Sequence, residues 1–111
     1  MTMLDQEALD VLREVMDDEF ESLVHLYDRD SDSRFPLMRE ALQQGQLEEL
    51  RHIVHSFKGA SSNICAPDLA ADAQVVEDAA RTGNTDGLSA RIDSLEQAYN
   101  DVRTVLIALL S

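Results

Sequence analysis

The chain has 111 residues, of which 44% are hydrophobic and 28% charged, and its formal net charge is −13. This length fits one domain over 1–111, and the charge argues against nucleic acid or anionic membranes as partners, because both bind clustered Lys and Arg. The single cysteine, Cys65, excludes an internal disulfide and fits a reducing compartment. With no secretory leader and no apolar run of membrane-spanning length, a cytoplasmic protein is predicted.

Apolar residues recur at every third or fourth position along most of the chain, which is the spacing of amphipathic helices. This spacing predicts helices over about 4–15, 17–43, 46–64 and 67–82, and a last helix that begins at an N-cap on Thr85. No segment alternates with a period of two residues, so no strand is predicted. The predicted fold is therefore all-α, an antiparallel up-down four-helix bundle with a short additional N-terminal helix.

Individual residues refine the predicted ends of the first two helices. Thr2 or Asp5 is the expected N-cap of the first helix, and Gly45 follows the end of the second. Pro36 lies inside the second helix, where proline kinks or breaks the backbone. Because the apolar stripe continues across it, a kinked helix is favoured over a loop at 28–34.

The third predicted helix presents a histidine on its polar side. At about 100° per residue, His55 lies nearly opposite Leu50 and Phe57, which belong to the apolar stripe. The residues that share its side are Arg51, His52, Lys58, Gly59 and Ser62. An exposed imidazole is a competent nucleophile near neutral pH, because its unperturbed pKa is about 6.5.

Two neighbours of this histidine indicate phosphoryl chemistry. Lys58, the only lysine in the chain, lies one turn away and can balance the charge of a dianion. Gly59 lies in mid-helix, where glycine costs about 1 kcal/mol relative to alanine, and it leaves bare backbone beside the imidazole. We therefore interpret His55 as a residue that receives a phosphoryl group and passes it on.

The segment HSFKGASSN, residues 55–63, resembles the histidine-containing phosphotransfer (HPt) family. Members of that family carry His-x-x-Lys-Gly, followed by small residues, on the second long helix of a four-helix bundle. The resemblance extends over nearly the whole chain. It implies that His55 is the phospho-acceptor, that Lys58 stabilises the phosphoryl charge, that Gly59 keeps the approach open and that Glu77 hydrogen-bonds the histidine from the next helix.

Two residues depart from the family pattern, since Ser62 and Cys65 stand where glycine is usual. A left-handed backbone at Cys65 would cost roughly 1–2 kcal/mol. The departures therefore concern the shape of the helix end and the preference for partners, and they leave the chemistry of His55 intact.

The resemblance also implies a place in a multistep phosphorelay. A receiver-domain aspartyl phosphate, such as that of a hybrid sensor histidine kinase, would donate to His55, and another response-regulator receiver would accept. Arg51, His52 and Ser62 are predicted to contact the receiver. The sequence has no nucleotide-binding signature, so no autokinase activity is expected. Any Mg²⁺ would be supplied by the receiver, no cofactor of its own is expected, and a monomer is the default.

Two other interpretations come from different classes of protein. The first is a helical adaptor that binds and sequesters a signalling partner without chemistry. The second is a metal protein, because Glu49-x-x-His52 matches half of a di-iron bundle motif. That site needs two such motifs and further inward-facing glutamates, so no metal ligand is predicted.

Overall fold

A computed structural model describes residues 4–110. In this range the chain forms helices and no strand, with α1 at Gln6–Met16, α2 at Phe20–Gln43, α3 at Leu47–Asn63, α4 at Pro67–Thr82 and α5 at Leu88–Ala108. Helices α2 to α5 form the four-helix bundle and α1 is the short additional helix, which confirms the predicted fold class. No helix among these residues is both long enough and apolar enough to cross a bilayer.

Four aromatic rings from three helices meet at the centre of the core. Phe57 of α3 packs against Tyr27 and Phe35 of α2 and Tyr99 of α5, with ring centroids 6.3, 5.1 and 5.9 Å away respectively. Such pairs contribute about 0.5–1.5 kcal/mol each beyond the burial of their area. Because Phe57 is fixed in this cluster, the rotation of α3 is fixed as well, and the opposite side of the helix faces outward.

A buried hydrogen bond links α2 and α3 beside the aromatic cluster. The hydroxyls of Tyr27 and Ser61 lie 2.8 Å apart, and Ser61 is fully buried. Burial raises the pKa of Tyr27 to about 12, against the smaller opposing effect of its bond to Ser61, so the phenol stays protonated. The small hydroxyl at Ser61 allows the two helices to approach closely.

The start of α1 agrees with its prediction, whereas the start of α2 does not. Asp5 caps α1, and its side chain accepts a hydrogen bond from the backbone N–H of Ala8 at 3.1 Å; the other predicted cap, Thr2, lies outside the described residues. The prediction that the long helix begins near 17 was wrong. Asp17 has φ 48° and opens a short 3₁₀ turn over Asp17–Glu19, so that α2 begins only at Phe20.

Helix α2 continues through Pro36 without a break, and the polar segment 28–34 is helical. Pro36 lies on the exposed side of α2. The carbonyl that loses its hydrogen bond to the missing N–H can therefore bind water.

The predicted N-cap of the last helix was also wrong. Helix α5 begins at Leu88 and its cap is Gly87, which has φ 66°. A left-handed residue cannot belong to a right-handed helix, so the helix starts after it. Thr85 contributes its backbone carbonyl instead, which accepts from the N–H of Leu88 at 3.1 Å.

The backbone is left-handed at Cys65, two residues after α3 ends, although glycine is the residue that adopts this conformation most readily. Cys65 has φ 67°, and its N–H donates to the carbonyl of Ser62 at 3.1 Å. The carbonyl of Cys65 accepts from the N–H of Asp5 at 2.8 Å, which fixes the start of α1 against the α3–α4 turn. This left-handed backbone costs roughly 1–2 kcal/mol at a non-glycine residue such as Cys65.

Candidate functional site

His55 projects from the outer side of α3 beside α4. Its side chain is 61% exposed, as the helical spacing predicted, because the opposite side of α3 is held in the core. The ring does not stand free, however. Its Nδ1 lies 3.1 Å from Oε2 and 3.3 Å from Oε1 of Glu77 on α4.

Glu77 is the centre of the site and contacts two residues of α3. Its side chain is only 10% exposed, and its Oε1 lies 2.8 Å from Nζ of Lys58. Burial raises the pKa of Glu77, but the hydrogen bonds and charges of Lys58 and His55 together outweigh burial, so that the pKa lies below its usual value. Glu77 is therefore an ionised carboxylate at neutral pH.

The charge of Glu77 determines which nitrogen of His55 carries the proton. An ionised carboxylate can only accept hydrogen bonds, so the neutral ring donates from Nδ1 to Glu77. The lone pair is then on Nε2, at the edge of the ring that faces away from the carboxylate. A ring oriented in this way presents a nucleophilic nitrogen to solvent.

Lys58 lies closer to α4 than its place beside His55 on α3 suggested. Its side chain is only 23% exposed, and Nζ donates to Oε1 of Gln74 at 2.7 Å as well as to Glu77. The amide of Gln74 in turn donates to Oδ1 of Asp78 at 2.9 Å. An ammonium has three N–H donors, so with Glu77 and Gln74 bound it retains one for an anion.

Gly59 leaves the backbone of α3 bare one turn after His55. Among the described residues, a Cβ added at Gly59 would meet nothing within 4 Å beyond its own stretch of helix. Packing within the chain therefore does not require glycine here. The space it leaves open lies on the outer side of α3, next to the imidazole.

Comparison with known proteins agrees with this geometry. Residues 7–105 match the family model of the Hpt domain. The chain belongs to this family. Hpt proteins are phosphocarriers rather than enzymes, and they interact with the receiver domains of response regulators.

A solved structure is closely similar to this Hpt domain. The crystal structure of histidine-containing phosphotransfer protein B (HptB) from Pseudomonas aeruginosa PAO1 superposes with a TM-score of 0.91 and 38% sequence identity. The match covers 96% of this chain and 92% of HptB. No curated protein sequence gives a significant match.

The remaining residues predicted to bind a partner lie on the outer side of α3, but two of them have an acidic neighbour. Nε of Arg51 donates to Glu48 at 3.1 Å, and Nε2 of His52 lies 3.3 Å from the same carboxylate. Glu48 therefore offsets much of the positive charge that the sequence suggested around His55. Ser62 is exposed on the same side.

Glu48, Gln74 and Asp78 were missed from the sequence, although helical spacing contained a signal for each. Glu48 precedes Arg51 by three residues and His52 by four, which is the spacing of ion pairs on one helix face. Gln74 precedes Glu77 by three residues and Asp78 by four, so these side chains share the face of α4 that meets Lys58.

The half di-iron motif of the sequence, Glu49-x-x-His52, lies on the surface of α3. Glu49 and His52 are both exposed. Among residues 4–110, no group of three or more His, Cys, Asp or Glu side chains is placed to hold a metal ion.

Proposed function

We propose that this Hpt domain is an intermediate of a multistep phosphorelay. In this proposal His55 accepts a phosphoryl group from a receiver-domain aspartate, such as that of a hybrid sensor histidine kinase, and passes it to an aspartate of another receiver. One observation carries the proposal: Nδ1 of an exposed His55 contacts an ionised Glu77, which leaves Nε2 as the free nucleophile.

The proposed reaction needs no proton transfer at the attacking nitrogen. The lone pair of Nε2 attacks phosphorus, a P–N bond forms, and the bond from phosphorus to the aspartate oxygen breaks with its electrons, so that the donor becomes a free carboxylate. The ring keeps its proton on Nδ1 and becomes a phosphorylated imidazolium. Glu77 then faces a positive ring, whose charge it stabilises.

The same carboxylate favours onward transfer. A protonated phosphoimidazole is a good phosphoryl donor, because its imidazole ring leaves as a neutral base. When the next aspartate attacks phosphorus, the P–N bond breaks and the electron pair returns to Nε2. The ring is thereby restored with its proton still on Nδ1, ready for the next cycle.

The neighbours of His55 have separate roles in this proposal. Lys58 offers its remaining N–H to the phosphoryl oxygens and balances their charge. Gly59 leaves room for the receiver to approach the ring. Arg51, His52 and Ser62 lie on the surface that the receiver would contact.

The domain is proposed to act as a carrier that depends on its partners. Its sequence contains no phosphate-binding loop or other nucleotide signature, so we expect no autokinase activity. We expect no cofactor of its own, and Mg²⁺ to be supplied by the acidic site of the receiver. We further expect the protein to be cytoplasmic and monomeric. Light scattering of the purified protein measures its mass in solution and so tests whether it is a monomer.

The test is incubation with receiver domains that carry a radiolabelled aspartyl phosphate. Wild-type protein should take up a label that is stable to base and labile to acid, as expected for phosphohistidine. His55→Gln should take up none, whereas His25→Gln, which changes an exposed histidine on α2, should be labelled like wild type. If the wild-type protein binds the receivers but takes up no label from them, the domain is instead an adaptor that sequesters its partner.

A further inference from the structure

Gln74 contacts the same ammonium as Glu77, from one turn earlier on α4. Its Oε1 lies 2.7 Å from Nζ of Lys58, which is a short distance for a hydrogen bond from nitrogen and is typical of a charged donor. The lysine therefore lies between two acceptors, of which Glu77 is charged and Gln74 is neutral. Two contacts restrict a four-carbon side chain far more than one contact does.

A neutral acceptor has an advantage at a site that receives an anion. Glu77 already supplies one negative charge, which Lys58 and His55 share. A second carboxylate beside Nζ would repel the phosphoryl group that the lysine is to stabilise. The carbonyl of Gln74 holds the ammonium without reducing its net charge.

The orientation of the Gln74 amide is itself fixed. Its Nε2 donates to Oδ1 of Asp78 at 2.9 Å, and the same carboxylate oxygen lies 3.3 Å from Nη2 of Arg81. Because the NH₂ group is bound to Asp78, the carbonyl oxygen is the atom that faces Lys58. The amide is thus held in the orientation that accepts from the ammonium.

We propose that Gln74 is a positioning residue for phosphoryl transfer, which holds Lys58 so that its remaining N–H is available to the phosphoryl group on His55. This inference rests on the proposed function. A positioning role for Gln74 differs from a purely structural link between helices, because Gln74 would affect the rate of transfer only through Lys58. The contact between α3 and α4 does not depend on it, since Phe57 of α3 and Ala73 and Val76 of α4 are buried in the same core.

The first test replaces Gln74 by methionine, which has a similar length and helix propensity but no strong acceptor. At a saturating concentration of labelled receiver, the rate of transfer to Gln74→Met should fall about tenfold, the equivalent of one weakened charge-assisted hydrogen bond. The receiver concentration at half-maximal rate should stay within about twofold, because binding is not what the amide supports. Gln97→Met, an exposed glutamine of α5, is the matched control and should behave as wild type.

A double-mutant cycle decides whether the effect passes through the lysine. In a Lys58→Met background, Gln74→Met should cause no further loss of rate, because there is no ammonium left to position. A further loss of about tenfold in that background would overturn the proposal and assign Gln74 a role of its own. A higher half-saturation concentration with an unchanged maximal rate would overturn it as well, in favour of a docking role.

A second readout needs no receiver. Since Lys58 is the only lysine in the chain, labelling with ¹⁵N-lysine gives a single side-chain ammonium signal. In wild type this signal should be protected from exchange with water, and in Gln74→Met it should exchange several-fold faster. An unchanged signal in a folded Gln74→Met protein would overturn the proposal.

The transfer assay and the ammonium signal together distinguish failure of this inference from failure of the proposed function. A wild-type protein that takes no label from any receiver would overturn the phosphorelay proposal and with it the catalytic use of Lys58. The ammonium signal would still decide whether Gln74 holds the lysine. Transfer in wild type, combined with equal rates in Gln74→Met, would overturn the positioning role alone.

Discussion

Two clusters of polar side chains link helices in this bundle, and they are built from similar parts. Between α3 and α4, Glu77 joins the ring of His55 to the ammonium of Lys58. Between α2 and α5, Asp28 lies 3.0 Å from the hydroxyl of Tyr99 and 3.1 Å from Nε of Arg103. Each cluster therefore contains a carboxylate, a cation and an aromatic ring with a titratable proton.

The clusters differ in where the ring lies. Tyr99 is fully buried, and burial, reinforced by the hydrogen bond to Asp28 and the charge of Asp32, raises the pKa of Tyr99 far above its usual value. Its hydroxyl can only serve as a donor within the protein. His55 is exposed and has a second nitrogen, so one side of its ring binds Glu77 while the other is open to solvent. Similar sets of groups thus form a buried link between helices in one place and, in the proposed function, a reactive site in the other.

Removing the cation from each cluster should separate the two roles most clearly. Lys58→Met should lower the rate of phosphoryl transfer by about 10- to 100-fold, because the phosphoryl charge loses its counter-ion. The matched change Arg103→Met should leave that rate within about twofold. Single-turnover transfer from a labelled receiver measures both, and equal losses in the two variants would contradict the comparison.

The complementary change removes the phenol from the structural cluster. Tyr99→Phe should lower the free energy of unfolding by about 1–2 kcal/mol, because a buried hydrogen bond to a carboxylate is lost. Transfer to His55 should be unaffected. Urea unfolding followed by circular dichroism gives the first quantity, and a wild-type value for Tyr99→Phe would show that the α2–α5 cluster does not contribute to stability.

Gly59→Ala should change stability and transfer in opposite directions. A Cβ has open space around it at this position, so alanine should raise the free energy of unfolding by about 0.5–1 kcal/mol through its better helix propensity. The added methyl group should slow transfer by reducing the room beside His55 for the receiver. If both stability and transfer rise, the bare backbone has no part in receiver access.

The smallest expected effect concerns Glu77 and the way the free energy of unfolding changes with pH in the acidic range. The pKa of Glu77 lies below that of an unfolded glutamate, so its ionisation stabilises the fold above the ordinary carboxyl value, about pH 4.3, and that stabilisation is lost as pH falls through the lowered pKa. Glu77→Gln should therefore unfold with a shallower dependence on pH in this acidic range. Glu49→Gln, which removes an exposed negative charge from α3, is the control for the change in net charge.

The sequence was sufficient for features that depend on one helix at a time. Apolar periodicity predicted the helices and the outward side of α3, because burial of Phe57 and exposure of His55 follow from the same rotation. It also predicted continuity through Pro36. The N-cap at Thr85 was predicted wrongly, because a polar residue at a suitable spacing does not reveal that Gly87 is left-handed two residues later.

The hydrogen-bond partners of Lys58 could not be predicted from the sequence, for a different reason. Its spacing places it beside His55, but its long side chain can reach either solvent or α4. Which acceptors it meets depends on the rotation of α4 against α3, and only the packed structure brings Glu77 and Gln74 to the same ammonium.

Because the one lysine of the chain lies at the proposed functional site, amine-reactive chemistry is directed to that site. Apart from a terminal amine, acylating reagents, amine-reactive dyes and amine coupling to a sensor surface have Lys58 as their target. Each would neutralise or block the ammonium beside His55. Studies of receiver binding should therefore immobilise or label this protein through a tag, or through a cysteine introduced far from α3 into a variant in which the native Cys65 is replaced.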